Sequence, residues 1–124
     1  MALQIHGTCT TIDLNVLDGY RALQGENEPD IVTELIDMFL ADLPSRIAML
    51  RQTVEAGDVA ATRRAAHALK GAAATLGATA LAGMCDYIES TARAGSVAPA
   101  SELLDEVDAE GARCRIALLK HRRP

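Results

Sequence analysis

Aromatic residues are scarce in this chain of 124 residues: there is no tryptophan, one phenylalanine (Phe39) and two tyrosines (Tyr20 and Tyr87). With 49% of residues hydrophobic, the core has to be built from Ala, Leu, Val, Ile and Met. Ala and Leu are strong helix formers, whereas strands enrich aromatic and β-branched residues, so the composition favours packed helices over sheets. A disulfide framework is also missing. The three cysteines, Cys9, Cys85 and Cys114, are odd in number, far apart and without a CxxC, which points to a reducing, cytoplasmic setting. Excess positive charge is absent too: the formal net charge is −5, which argues against nucleic acid as the main partner, because phosphate binding needs a basic surface. No apolar run approaches the length of a membrane span, so no membrane insertion is expected. Residues 1–11 lack both the basic start and the apolar stretch of a secretory signal.

The patterns that are present are helical, and the length fits one domain. Residues 1–11 carry no periodicity and read as a flexible arm. Asp13 is placed to cap a short helix reaching about Leu23. "QGENEPD" reads as a turn, with Pro29 suited to the first position of the next helix. From Ile31 a continuous stripe runs through Val32, Leu35, Ile36, Phe39, Leu40, Leu43, Ile47, Leu50 and Val54. Pro44 breaks the hydrogen bonding but not the stripe, which predicts one long helix kinked near Asp42 or two helices end to end. Gly57 ends it and Asp58 caps the next. The third helix, about Val59 to Leu76, turns Thr62, Ala66, Leu69, Ala73 and Leu76 inward at spacings of four and three. A fourth helix, ending at Gly95, places Leu81, Met84, Cys85, Ile88 and Ala92 inward. "SVAPAS" reads as a linker with Ser101 capping a last helix, whose inward residues are Leu104, Val107, Gly111, Cys114 and Leu118. The expected fold is all-α: an antiparallel four-helix bundle over residues 12–120 with a short extra N-terminal helix, then a solvated basic tail at 121–124.

"AHALKGAAATLG" (66–77) holds the chemistry. His67 is one residue past the seam residue Ala66, about 100° around the helix. It therefore shares a face with Arg63, Arg64, Lys70, Gly71 and Ala74, a cationic face with small residues rather than a core face. A mid-helix glycine costs up to about 1 kcal/mol relative to alanine, so Gly71 calls for a reason. Either it lets another molecule approach the imidazole, or it packs closely against a neighbouring helix. A metal site is disfavoured because the positions flanking His67 by three and four residues are cations or glycine. A nucleophile–histidine triad finds no G-x-S-x-G, and ATP finds neither a Gly-Lys-Ser/Thr loop nor a G-x-G-x-x-G. A nucleophilic imidazole for a phosphoryl group fits what remains, with Lys70 to neutralise the oxygens.

At these residues the sequence resembles the histidine-containing phosphotransfer (HPt) domain family. The family's alanine, then His-x-Leu-Lys-Gly, then a hydrophobic–glycine pair appears as Ala66, His67, Leu69, Lys70, Gly71, Leu76 and Gly77. "DMFLADLPSRIAML" (37–50), "AGD" (56–58) and "CDYIES" (85–90) resemble the helix, turn and helix around the motif. The resemblance implies a phosphoryl carrier without kinase activity of its own, exchanging the group with the aspartates of receiver domains. His67 would be the phosphoacceptor, Lys70 would stabilise the group and Gly71 would give the receiver access. Arg63, Arg64 and Ala74 are candidate surface support, and Ala78 with the preceding helix a candidate docking surface. No cofactor would be bound by this chain, Mg²⁺ being supplied by the partner receiver. Free-standing or part of a hybrid sensor histidine kinase, the chain would be a cytoplasmic monomer. Ala72 departs from the serine of many members, leaving open what orients the ring. The phosphoacceptor helix pair of histidine kinases is a poorer match, because Ala68 rather than an acid follows His67 and no proline lies between Pro44 and Pro99. The alternative of a different class is a helical docking module that binds a receiver or kinase domain and is never phosphorylated.

Overall fold

The computed structural model describes residues 10–124, and all regular secondary structure among them is helical. Five helices follow in order: α1 (Leu14–Leu23), α2 (Ile31–Glu55), α3 (Val59–Thr75), α4 (Thr79–Arg93) and α5 (Ala98–Leu119). Helix α3 packs between α2 and α4, and α5 closes the ring against the same two helices. Short connections (56–58, 76–78 and 94–97) make sequential neighbours antiparallel. The result is an up-down four-helix bundle, with α1 laid against α2.

The stripes read from sequence meet in the centre. Val32, Ile36, Leu50, Leu69, Leu81, Ile88, Val107 and Leu118 are all but sealed from water. Thr62, the buried hydroxyl of α3, donates to Thr53 Oγ1 at 3.1 Å, so the polar group within the seam is satisfied. Asp13 caps α1 by accepting from Asn15 N, and Asp58 caps α3 by accepting from Ala61 N. Helix α3 ends at Gly77, whose φ of 73° only glycine adopts without strain. Its carbonyl accepts from Asp13 N at 2.7 Å, and Tyr20 Oη donates to Thr75 O. The α3–α4 turn is thus tied to α1.

Several expectations are corrected. Of the two arrangements open at Pro44, a single continuous α2 is the one formed, and Pro44 is exposed, so its ring displaces no core contact. Pro29 is not the first helical residue: Asp30 is the N-cap, and its carboxylate is engaged by Arg21 (3.0 Å) and Thr33 Oγ1 (2.6 Å). The segment read as a linker is mostly helix. Helix α5 starts at Ala98 with Pro99 in its first turn, where a missing N–H costs nothing, and Ser101 lies inside it. The basic tail is exposed, as expected at its last three residues, but it also makes specific contacts. Arg122 forks onto Asp37 (2.6 and 2.9 Å), Arg123 N donates to Thr33, and His121 O accepts from Arg21. Of the segment read as an arm, residues 1–9 lie outside the described residues, while Thr10 exchanges hydrogen bonds with Thr79.

Candidate functional site

The buried seam of α3 fixes the helix in rotation, which turns His67 outward with 69% of its side chain exposed. Its ring is nevertheless held. Nδ1 lies 2.9 Å from Oε2 of Glu89, a carboxylate on α4 with only 5% of its side chain exposed. The same carboxylate collects two cations. Lys70 Nζ is 2.6 Å from Oε1, off the axis of a hydrogen bond and therefore an ion pair, and Arg93 Nη2 is 3.1 Å from Oε2. Lys70 also reaches Asp86 at 3.3 Å.

These contacts fix the charges. Lys70 first, then the hydrogen bond to His67, hold the Glu89 carboxyl below its ordinary value against the effect of burial. Contact with Glu89 in turn raises Lys70. An ionised carboxylate only accepts hydrogen bonds, so Nδ1 of the neutral ring must carry the proton. The lone pair is left on Nε2.

On one side of the ring is an open cleft of about 330 Å³ walled by Arg63, Arg64, Ala68, Glu89 and Arg93. On the α2 side lies an apolar groove of about 140 Å³ over Phe39 and Leu76, with Met38, 63% exposed, at its rim. Gly71 is exposed between His67 and Thr75. A Cβ there would meet no atom within 4 Å outside its own helix backbone. The packing explanation for Gly71 is thereby removed. Ala74 is exposed, but Ala78 is fully buried and does not belong to a docking surface. The reason is Gly77, which turns the chain so that Ala78 N bonds back to Ala73 O at 2.9 Å. No group of three or more His, Cys, Asp or Glu side chains gathers to hold a metal among the described residues.

The family model described as Hpt domain matches residues 34–117, most of the chain. The chain belongs to the Hpt domain family. Solved structures agree. Histidine-containing phosphotransfer protein B from Pseudomonas aeruginosa PAO1 is 30% identical with a TM-score of 0.80, the match covering 93% of this chain and 96% of that one. The HPT domain of a sensor hybrid histidine kinase from Shewanella shares the fold at 20% identity and a TM-score of 0.72, covering 89% and 92%. No curated protein matches the chain. This Hpt domain thus has a histidine phosphotransfer role in a two-component phosphorelay.

Of the residues expected at the site, His67, Arg63 and Arg64 line one cleft, and Lys70 and Gly71 flank the ring. Lys70 is already held by Glu89 and Asp86, partners that the α3 face alone did not reveal. Glu89 and Arg93 were missed. A signal for Glu89 was present: it lies four residues after the inward Cys85 and next to the inward Ile88, a place where an acid is rare without partners. Ala72 is half-buried against the core, and the ring is oriented by Glu89 instead.

Proposed function

We propose that His67 accepts a phosphoryl group from the aspartyl phosphate of a receiver domain and passes it to another receiver. The observation that carries this reading is the exposed imidazole pinned through Nδ1 to an ionised carboxylate, which presents Nε2 as the nucleophile. In the forward step the Nε2 lone pair attacks phosphorus. The Nε2–P bond forms, the P–O bond to the receiver's aspartate breaks, and that carboxylate leaves with the electron pair. The open surface at Gly71 admits the receiver in line, and the groove beside Met38 offers it an apolar hold. Once the dianionic group has arrived, it competes with Glu89 and Asp86 for Lys70, which then stabilises it. Arg63 and Arg64 have no ion pair among the described residues and support the same charge.

The chain is a carrier without kinase activity of its own. It binds no cofactor, and Mg²⁺ belongs to the partner receiver. It works as a monomer in the cytoplasm, free or joined to a hybrid sensor kinase. No described helix is long and apolar enough to cross a membrane.

The test is transfer of label from a receiver charged on its aspartate, with Mg²⁺, to wild type and to His67→Gln. Acid-labile, base-stable label on the wild type alone is the expected result. Binding of receivers from the same source without any label would instead make the chain a docking module.

A further inference from the structure

Holding the ring does not by itself require a charge at position 89. A glutamine there could accept the same hydrogen bond from Nδ1 through its amide oxygen. A buried carboxylate pays a desolvation cost that the amide would not, and persists only with close partners. Glu89 has them on two helices, with His67 and Lys70 from α3 and Arg93 from α4. The structure therefore keeps a negative charge against the ring where a neutral group would orient it equally well.

The charge matters after phosphorylation. When Nε2 bonds to phosphorus, the ring keeps its Nδ1 proton and becomes a cation. That cation is the better leaving form. Breaking Nε2–P returns the electron pair to Nε2 and yields neutral imidazole, still protonated at Nδ1. If Nδ1 had lost its proton, the same cleavage would expel an anion. Resting on His67 as the phosphoacceptor, we propose that Glu89 is a positioning residue whose charge keeps the Nδ1 proton on the phosphorylated ring, so that the phosphoryl group enters and leaves with no proton moving.

The other groups around the ring do not replace this charge. Lys70, Arg63, Arg64 and Arg93 are cations and favour losing the proton. Asp86 is engaged by Lys70. Cys85, beside Glu89 on α4, is a thiol that burial pushes up to about 12, and Cys114, which faces it from α5, is likewise pushed up to about 12; both stay neutral. Without Glu89 the ring would face mainly positive charge.

The experiment phosphorylates wild type, Glu89→Gln and Glu89→Asp with phosphoramidate and removes the donor. It then follows loss of the phosphohistidine against pH, both by hydrolysis alone and by transfer to a Mg²⁺-loaded receiver. Hydrolysis carries no contribution from titration of the receiver. Gln keeps the reach and loses the charge; Asp keeps the charge and shortens the reach. In Glu89→Gln the pH above which release slows should fall by about 1–3 units, the usual effect of one close charge. Glu89→Asp should shift less. Circular dichroism establishes that each variant is folded. Coincident profiles for wild type and Glu89→Gln overturn the inference alone. A wild type that takes no phosphoryl group on His67 overturns the functional reading and the inference with it. Should Glu89→Gln not fold, the wild-type profile is compared with that of the same phosphoprotein in urea. A midpoint no higher in the folded protein overturns the proposal.

Discussion

Replacing Gly71 with alanine separates the two reasons a helix has for keeping a glycine. The position is exposed, it lies inside α3, and an added Cβ meets nothing within 4 Å outside its own helix backbone. No contact is lost either, since the Gly71 carbonyl still accepts from Thr75 Oγ1. The helix-propensity difference then acts alone. Gly71→Ala should stabilise the protein by about 0.8–1 kcal/mol, which raises the unfolding midpoint of a domain this size by about 3–5 °C. Function should move the other way as the side chain grows. Gly71→Gln puts a long side chain beside the imidazole, and misplacing a reacting group by about 1 Å costs up to about a hundredfold in rate. The assay pairs thermal unfolding by circular dichroism with transfer from a phosphorylated receiver, and uses phosphoramidate as a donor small enough to be indifferent to position 71. A lower melting temperature for Gly71→Ala would refute the reasoning, because the glycine would then serve packing. Equal losses with receiver and phosphoramidate in Gly71→Gln would also refute it, since the fault would lie in the histidine rather than in access.

Gly77 should behave oppositely. At Gly77, φ is 73° and a Cβ would lie 2.7 Å from Asp13 O, so Gly77→Ala should cost about 2–3 kcal/mol from backbone strain and the disturbed α1 contact, read as a lower urea midpoint. Arg21 and Thr33 hold Asp30 at about 2, below the 3.8 of a free carboxyl. Because the folded value is depressed, the stability it contributes is fully present above about pH 4 and is lost as pH falls through 2. Asp30→Asn should remove at most about 2 kcal/mol at pH 7, some of it screened by water at the edge of the pair, and flatten the acid limb of urea unfolding. In a Cys9→Ser background, Cys85 and Cys114 should resist thiol reagents until the protein unfolds, because both thiols are buried and pushed up to about 12. Rapid labelling of the native protein would count against that burial.

The outward position of His67 could be read from the sequence because it depends only on helix geometry. Once Thr62, Ala66, Leu69 and Ala73 face the core, a residue one step beyond Ala66 must face away. The motif around it, with Lys70 and Gly71, is equally local. The start of α5 was less legible, because Ser101 and Pro99 both satisfy rules for a helix beginning and only the chain's approach decides between them. Ala78 was misplaced because the exposed face of α3 was extended past the glycine that ends it. The basic tail gives no local sign that Asp37, Thr33 and Arg21 await it, being 85 or more residues away in sequence.

By itself, then, the sequence determined the number of helices, their inward faces and the histidine that stands outside the core. Periodicity carries that information, because burial repeats with the turn of the helix. It did not determine which side chains of a neighbouring helix would meet that histidine. Glu89 is 22 residues further along, and only the antiparallel pairing of α3 with α4 brings its carboxylate against Nδ1. The packed bundle alone decided that Lys70 is held, that the ring is oriented without a serine at position 72, and that Nε2 is the nitrogen left free. Those outcomes depend on distances between helices, which hydrophobic spacing along one chain does not encode.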